Sequence, residues 1–280
     1  MENTKHALVT GGTSGVGLSI VNQLVKHNFK VTFIGSNSSK GKRVELEINN
    51  SSNSLTKGLK HKFVQLDLSD LSLVKEFSNQ FKQENKSLNL LVNVAGIMSP
   101  KQQLTASGLD KTFAIGYLST FILSTELIPL LEKVENSRIV NVGGGFNIIN
   151  KAKLEFDNLN FTNRYSGLKT AFATIHAKSV LTQILAEKLI PKNIDVNSFH
   201  PGTVKSNLTR NMSKVLQFLA KMASVFMAKE SSNGIFVCLD KSITGQTGKL
   251  FVKQKPIDLK FGLEYSDELW KITKKIVSEY

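Results

Sequence analysis

The chain has 280 residues, 41% of them hydrophobic, which suits one domain with a full core, and no apolar run approaches the ~18 residues of a membrane span. Its net charge of +14 invites a nucleic-acid partner, but the lysines are spread along the chain without an arginine cluster, so we expect none. A single cysteine, Cys238, excludes an internal disulfide and a cysteine metal cluster, and residues 1–5 carry no secretory or transit signal; we therefore expect a cytoplasmic protein without a metal.

Hydrophobic periodicity divides the chain into alternating strands and helices. The predicted strands are 6–10, 30–35, 62–66, 89–93, 138–143, 194–199 and 248–253. The predicted helices are 15–28, 40–49, 70–84, 105–133, 166–190, 214–228, 230–240 and 266–279. This alternation predicts one α/β domain over residues 1–280, with a doubly wound, mostly parallel sheet and helices on both faces.

A glycine-rich stretch, residues 10–17, joins the first strand to the first helix. We expect Gly11 to make the turn, Gly15 to admit a pyrophosphate and Gly17 to let helix and strand pack closely. The spacing GxxxGxG differs from the GxGxxG dinucleotide fingerprint, so for the motif alone an ordinary glycine turn is the alternative. The predicted phosphate contacts are Gly11, Thr13, Ser14, Gly15, Val16 and Gly17.

Several later strands end in residues suited to the same ligand, at the sheet edge where open α/β folds bind ligands. Asp67 follows the third strand and can meet an adenine edge, and the fourth strand ends in the small residues Ala95 and Gly96. These positions extend the prediction to a Rossmann dinucleotide site that also includes Ser36, Asp67, Leu68, Asn93, Ala95, Gly96, Pro201, Gly202 and Val204.

The segment after the second strand bears on which dinucleotide binds. An acid at that place would hold the ribose diol of NAD(H), and none is present. Ser36 and Lys40 instead tolerate a 2′-phosphate, so the sequence favours NADP(H) over NAD(H).

Taken in order, these motifs resemble the short-chain dehydrogenase/reductase family over essentially the whole chain. Residues 138–142, 156–160 and 200–204 are similar to its retinol-dehydrogenase-like branch. The resemblance implies hydride transfer between NAD(P) and a carbonyl or alcohol. It also implies a catalytic tetrad: a Tyr acid/base, a Lys that lowers the Tyr pKa and holds the ribose, a Ser that polarises the carbonyl, and an Asn that supports a relay water.

The chain departs from the family at all four of these positions. The Ser position falls on Gly144 and the Asn position on Gly116. The flanking runs, 156–160 and 181–182, align without gaps and place the Tyr at Ala171 and the Lys at Ile175. We therefore interpret the tetrad as lost.

Two possible replacements for the family's catalytic residues remain open. Tyr165 and Lys169 have the Tyr-x-x-x-Lys spacing, but using them shifts a long helix by six residues and rotates its buried faces away from the core. Lys178 lies three residues after Ile175 on the same helix face, so its ammonium can reach back toward the ribose; the alternative is a partly exposed lysine on an amphipathic helix.

Three functions follow as hypotheses. The first is a cofactor-binding pseudoenzyme that acts as sensor, scaffold or partner subunit. The second is an enzyme with relocated or non-redox chemistry on a larger apolar or peptide substrate, with Tyr117, Tyr165, His176 or Lys178 as acid/base groups. The third is an NADP(H)-dependent carbonyl or retinal-type reductase that uses Tyr165 and Lys169.

Partners are less constrained by the sequence. The resemblance implies a homodimer through the helices 105–133 and 166–190. Residues 203–230 form the predicted insertion over the substrate, and the apolar spacing within 214–228 fits a lid, a helix packed on its own sheet or a membrane-surface helix. Of these we do not expect the membrane.

Overall fold

The computed structural model describes residues 4–50, 58–163, 165–202 and 230–280. In this part of the chain, eight strands form one sheet in the order β3-β2-β1-β4-β5-β6-β7-β8, parallel except for the last. The strands are β1 (His6–Thr10), β2 (Lys30–Gly35), β3 (Lys62–Gln65), β4 (Leu90–Asn93), β5 (Ser137–Val142), β6 (Ile194–Phe199), β7 (Lys249–Val252) and β8 (Lys255–Asp258). The predicted fold class, a single Rossmann domain, is confirmed.

Helices cover both faces of this sheet. They are α1 (Gly15–Lys26), α2 (Ser38–Asn50), α3 (Leu71–Glu84), α4, α5 (Phe146–Lys151), α6 (Gly167–Leu189), α7 (Ser232–Leu239) and α8 (Leu263–Ser278). We use α4 for a continuous helical run made of Lys111–Phe113, a π-helical segment Ala114–Leu118, and Ser119–Glu126. Short helical turns follow at Ile128–Leu131, Ile190–Lys192 and Lys241–Ile243.

The strands are apolar on both sides because a parallel sheet is covered on both sides. All five residues of β1 are buried. Leu8 belongs to the core beneath α3, α4, α6 and α8, whereas Ala7 and Val9 belong to the core beneath α1, α2 and α7. This alternation follows from the two-residue period of a strand.

The strand order reverses at β1, which has β2 on one side and β4 on the other. Open α/β sheets bind ligands at such a switch point, so it marks the position of the candidate site. The hydroxyl of Thr10, at the end of β1, accepts hydrogen bonds from the backbone N–H of Val94 (3.0 Å) and of Ala95 (3.1 Å). The two strand ends are thereby held together, with the glycine loop on one side and the chain after β4 on the other.

The predicted helix 105–133 is wrong at its N-terminal end and is interrupted. Asp110 caps α4 by accepting from the N–H of Thr112 (2.8 Å) and of Phe113 (3.1 Å), so the helix begins at Lys111. The helix is interrupted at Leu127, two residues before Pro129. Within the run, the π segment is centred on Gly116, a residue that weakens regular helix.

Two elements were not predicted from the sequence. The helix α5 follows the three glycines 143–145, which read as loop. The strand β8 pairs antiparallel with β7 through a tight turn in which Lys253 and Gln254 take left-handed φ values of 50° and 63°. Lys-Gln is not a turn signal of the Asn-Gly kind, so nothing in the sequence marked this hairpin. The predicted helix 214–228 lies outside the described residues.

The C-terminal helix α8 packs across the two long helices α4 and α6. The Trp270 ring lies 5.0 Å from the Phe121 ring, centroid to centroid, and the Lys188 ammonium lies 5.0 Å from the Trp270 centroid. The Tyr117 hydroxyl shares a 2.8 Å hydrogen bond with Thr273. Part of the helix surface on which the dimer was predicted is therefore covered by the chain itself.

None of the helices in the described residues has the length and apolar character needed to cross a membrane. Cytoplasmic location stays a prediction.

Candidate active site

The glycine loop has the geometry of an anion cradle. Gly11 and Gly15 take positive φ values of 67° and 54°. A Cβ on Gly17 would lie 2.3 Å from the carbonyl oxygen of Gly11, so only glycine lets α1 approach the loop this closely. Ser14 precedes α1 without a side-chain cap, and the first turn carries no acid, so the N–H groups of that turn are left for an anionic ligand.

The loop forms one wall of a cavity of about 430 Å³ that runs along the carboxyl ends of β1, β2, β4 and β5. The predicted cofactor residues that line it are Gly11, Thr13, Ser14, Gly15, Val16, Gly17, Ser36, Asp67, Leu68, Ala95, Gly96 and Pro201. Two others do not: Asn93 is fully buried and Gly202 is not part of the lining. Val204 lies outside the described residues.

Asn93 is held away from the cavity by a buried polar network. Its Nδ2 donates to Oδ1 of Asn141 (3.0 Å) and to the hydroxyl of Ser124 (3.1 Å). The amide of Asn141 in turn donates to the hydroxyl of Thr182 (3.0 Å), which donates to the carbonyl oxygen of Lys178. This chain of hydrogen bonds connects β4, β5 and α6.

One end of the cavity lies at the carboxyl end of β2 and is polar. Ser36 and Asn37 are exposed there, and Lys40 lines the same end from the first turn of α2. Asp67 lines it from the loop after β3, with its Oδ1 bound to the N–H (2.9 Å) and hydroxyl (2.7 Å) of Ser69. This end therefore suits a ligand that places an anionic group near Lys40 and a hydrogen-bond donor near Asp67.

The other end lies between α4, α5 and α6 and is mostly apolar. Gly116, Gly144, Ala171 and Ile175, which we identify with the four tetrad positions, all line it. The structure thus brings residues from α4, from the loop after β5 and from α6 to one place. Sequence reasoning missed Met98, Ile115, Val142 and Ile148 in this wall; Ile148 lies on α5, and no signal pointed to that helix.

Side chains on α6 pack closely against Gly116 and Gly144. A Cβ on Gly116 would lie 2.6 Å from Cγ2 of Thr174, and a Cβ on Gly144 would lie 3.0 Å from Cγ2 of Ile175. Thr174 is fixed because its hydroxyl donates to the carbonyl oxygen of Thr170 (2.8 Å). The side chains on α6 therefore occupy space that a Ser or Asn side chain would need.

Lys178 reaches the same end of the cavity from the next turn of α6. Its side chain is 3% exposed, and in the described residues its ammonium has neither a hydrogen bond nor an ion pair. Burial without a partner lowers the pKa of Lys178 from 10.5 to about 7. The partly exposed, amphipathic placement considered for this lysine is wrong; the amine is buried at the cavity wall.

The sequence comparisons decide the family. The sequence pattern described as short chain dehydrogenase matches residues 5–217. The chain belongs to the short-chain dehydrogenase family. It is 30% identical to the short-chain dehydrogenase TIC 32 B, chloroplastic, of Brassica napus, over 98% of this chain and 90% of that one. It is 29% identical to retinol dehydrogenase 12 of Mus musculus, over 88% of this chain and 77% of that one.

The fold comparison agrees. A short chain dehydrogenase from Burkholderia cenocepacia, solved in complex with NADP, superimposes with a TM-score of 0.67 at 21% identity, covering 89% of this chain and 96% of that one. At this identity the likeness concerns the fold alone.

For a short-chain dehydrogenase, the Tyr165 and Lys169 pair is badly placed. Neither residue lines the cavity, and Lys169 is exposed. The Tyr165 hydroxyl donates to the carbonyl oxygen of Ser99 (2.8 Å), and burial raises its pKa. A family acid/base needs the opposite, a phenol whose pKa is lowered by a neighbouring cation.

The other acid/base candidates also face elsewhere. Tyr117 is buried with its hydroxyl bonded to Thr273, and desolvation raises its pKa. His176 holds the carbonyl oxygen of Ile149 (2.6 Å) through Nδ1, and burial lowers its pKa. His200, in contrast, lines the cavity, and burial lowers its pKa.

We predict that Gly116→Ala is destabilising because of Thr174. The new methyl gains ~1 kcal/mol of helix propensity but overpacks Cγ2 of Thr174 at a typical cost of about 1–3 kcal/mol. In a Thr174→Ser background the obstructing methyl is gone while the hydroxyl that binds Thr170 remains, so the same change should be neutral or stabilising. Urea unfolding of the four chains of this double-mutant cycle measures the coupling. Equal costs in both backgrounds would show that the two sites are not packed against each other.

A second prediction concerns Lys178. Because its folded pKa lies below its unfolded value, the unfolded chain binds the proton more tightly, and the wild type loses stability as the pH falls from about 10.5 to about 7. Lys178→Met should therefore raise the free energy of unfolding by on the order of 1–4 kcal/mol near pH 6, with the gain fading near pH 10.

The matched control for this measurement is Lys169→Met, an exposed lysine on the same helix. It should shift the urea midpoint little at either pH. If Lys178→Met destabilises the protein at both pH values, the amine has a stabilising partner and our account of this wall of the cavity fails.

Proposed function

We propose that this protein binds NADP(H), or less tightly NAD(H), in the described cavity and is not an ordinary dehydrogenase. One observation carries the proposal. The anion cradle at the α1 end is kept in full, while the four tetrad positions at the other end hold two glycines, an alanine and an isoleucine. Such a protein acts as a sensor, a scaffold or the partner subunit of another protein.

The residues present fit a dinucleotide. The uncapped N-terminus of α1 and the glycines at 11, 15 and 17 suit a pyrophosphate. A Cβ on Gly35 would lie 2.6 Å from Cγ2 of Thr13, so the wall between loop and β2 is also closed to larger residues. The structural relative from Burkholderia cenocepacia binds NADP, which supports the same class of ligand here.

The residues at the polar end of the cavity favour NADP(H) over NAD(H). Ser36, Asn37 and Lys40 line the end where the adenosine ribose would lie, and no carboxylate is among the residues after β2. A 2′-phosphate next to the Lys40 ammonium would gain a charge-assisted contact that a 2′-hydroxyl cannot make.

The chemistry at the other end argues against ordinary carbonyl reduction. A bound nicotinamide supplies a hydride, but reduction also needs a group that polarises the carbonyl and one that gives a proton. Gly144 offers no side-chain donor and Ala171 no acid. The titratable side chains that line this end among the described residues are Lys178 and His200.

A second candidate function rests on Lys178. An enzyme with relocated, non-redox chemistry on an apolar substrate would use this amine, which is buried next to an apolar wall and has no partner among the described residues. A homodimer stays a prediction; α8 covers part of the helix surface that the family resemblance assigns to it.

The test is calorimetric titration with NADPH and with NADH. We expect NADPH to bind in about the micromolar range, and Lys40→Ala to weaken NADPH by on the order of 10-fold while changing NADH little, because one charge-assisted contact is lost. Lys42→Ala, an exposed lysine two residues away that does not line the cavity, is the matched control and should change neither affinity.

Two results would contradict the proposal. The absence of binding by either dinucleotide to the folded protein would leave the Rossmann body as a scaffold only. Equal losses from Lys40→Ala and Lys42→Ala would show that the 2′-phosphate site is not where we place it.

A further inference from the structure

We propose that the Lys178 amine is a nucleophile that captures apolar aldehydes reversibly as an imine, which makes this end of the cavity a carbonyl-binding site of its own. The proposal concerns the apo protein and does not depend on whether a dinucleotide binds. It joins three observations: where the amine lies, what surrounds it and how the cavity is entered.

The amine lies at the wall of the cavity, and no described residue hydrogen-bonds to it or pairs with it. Its helix neighbours one turn earlier, Thr174 and Ile175, line the same cavity, which places Lys178 on the cavity face of α6. A helical side chain leans toward the N-terminus of its helix, so the Lys178 stem points toward those two residues and the tetrad positions.

The surroundings do not stabilise an ammonium. Ile115, Val142, Ile148 and Ile175 line this end of the cavity. Among the described residues the charged or titratable side chains of the lining are Lys40 and Asp67, at the opposite end, together with Lys178 and His200.

Several buried titratable groups on the elements packed against α6 have partners of their own. Asp195 on β6 is paired with Arg138 on β5 at 4.0 Å, Tyr117 on α4 is bound to Thr273, and Tyr265 on α8 accepts the N–H of Leu154 (3.0 Å). Asp110 caps α4. Among the described residues no hydrogen bond or ion pair engages the Lys178 amine, and its pKa is shifted by desolvation alone. A desolvated lysine in an apolar pocket is the form in which lysine is nucleophilic.

The space for a substrate is the apolar end of the cavity, beside Gly116, Gly144 and Ala171. Gly116, Gly144 and Ala171 carry no side chain beyond a methyl. The cavity continues from there to exposed residues at Ser36 and Asn37, so a small molecule can enter. An apolar tail would pack against the isoleucines while its carbonyl carbon meets the amine.

The chemical step is balanced without a further reactant. The lone pair of neutral Nζ attacks the aldehyde carbon, and the C=O π electrons move to the oxygen. One N–H proton passes to that oxygen to give a carbinolamine. The C–O bond then breaks, and the oxygen leaves as water with the second N–H proton, which leaves a C=N bond to Lys178. Addition of water reverses each step.

The experiment is reductive trapping of the purified full-length chain with hexanal and cyanoborohydride near pH 7, without dinucleotide, followed by peptide mass spectrometry. We expect Lys178 to gain a hexyl group at least ~10-fold faster than Lys169, because about half of an amine with a pKa near 7 is neutral there, against roughly one in a thousand for an exposed lysine. Lys169 is the internal control, since it is exposed on the same helix.

A second variant keeps the test independent of folding defects. Lys178→Arg retains a cation but cannot form the imine, so it should lose the fast-reacting equivalent while Lys169 reacts as before. Labelling of Lys178 at the same rate as Lys169, or slower, overturns the proposal. Because no cofactor is present, this result would leave the dinucleotide proposal standing, and failed NADPH binding would leave the imine proposal standing.

Discussion

The buried hydrogen bonds from Asn93 to Asn141 and from Asn141 to Thr182 are the contacts on which the site depends. They fasten the carboxyl ends of β4 and β5 to the middle of α6, and Thr182 continues the chain to the backbone of Lys178. Unpaired amides at this depth would cost on the order of 1–3 kcal/mol each, so register between sheet and helix is fixed. The residues that α6 presents to the cavity are therefore set by this register, whatever their chemistry.

On our proposal, the dinucleotide site persists without the family's catalytic groups, and the two ends of the cavity depend on different contacts. The glycine loop depends on backbone geometry at Gly11, Gly15 and Gly17, which α6 does not touch. At the far end, Thr174 packs toward Gly116 and Ile175 packs toward Gly144. The amine of Lys178 lies at the same apolar end of the cavity.

The sequence predicted the fold because its main signals are local. Apolar strands alternate with amphipathic helices, and the motifs appear in family order, so the sheet and most element positions followed. What it could not predict depends on tertiary contacts. The helix α4 begins later than predicted because Asp110 caps it. The hairpin at Lys253 and Gln254 has no turn signature in the sequence. The side chain of Asn93 is turned away from the cavity by its hydrogen bond to Asn141 on β5. The burial of Lys178 was likewise invisible, because a lysine on a helix is ordinarily read as solvated.

The central claim is that the cavity holds a dinucleotide but lacks the groups that reduce a carbonyl with it. The most direct measurement is nicotinamide absorbance during incubation of the protein with excess NADPH and a panel of aldehydes and ketones, after binding has been shown by titration. The account predicts saturable binding and no protein-dependent consumption of NADPH beyond one equivalent. Repeated turnover that disappears in a Gly15→Trp loop variant would contradict it, and would mean that an acid/base group serves the cavity from a place we have not assigned.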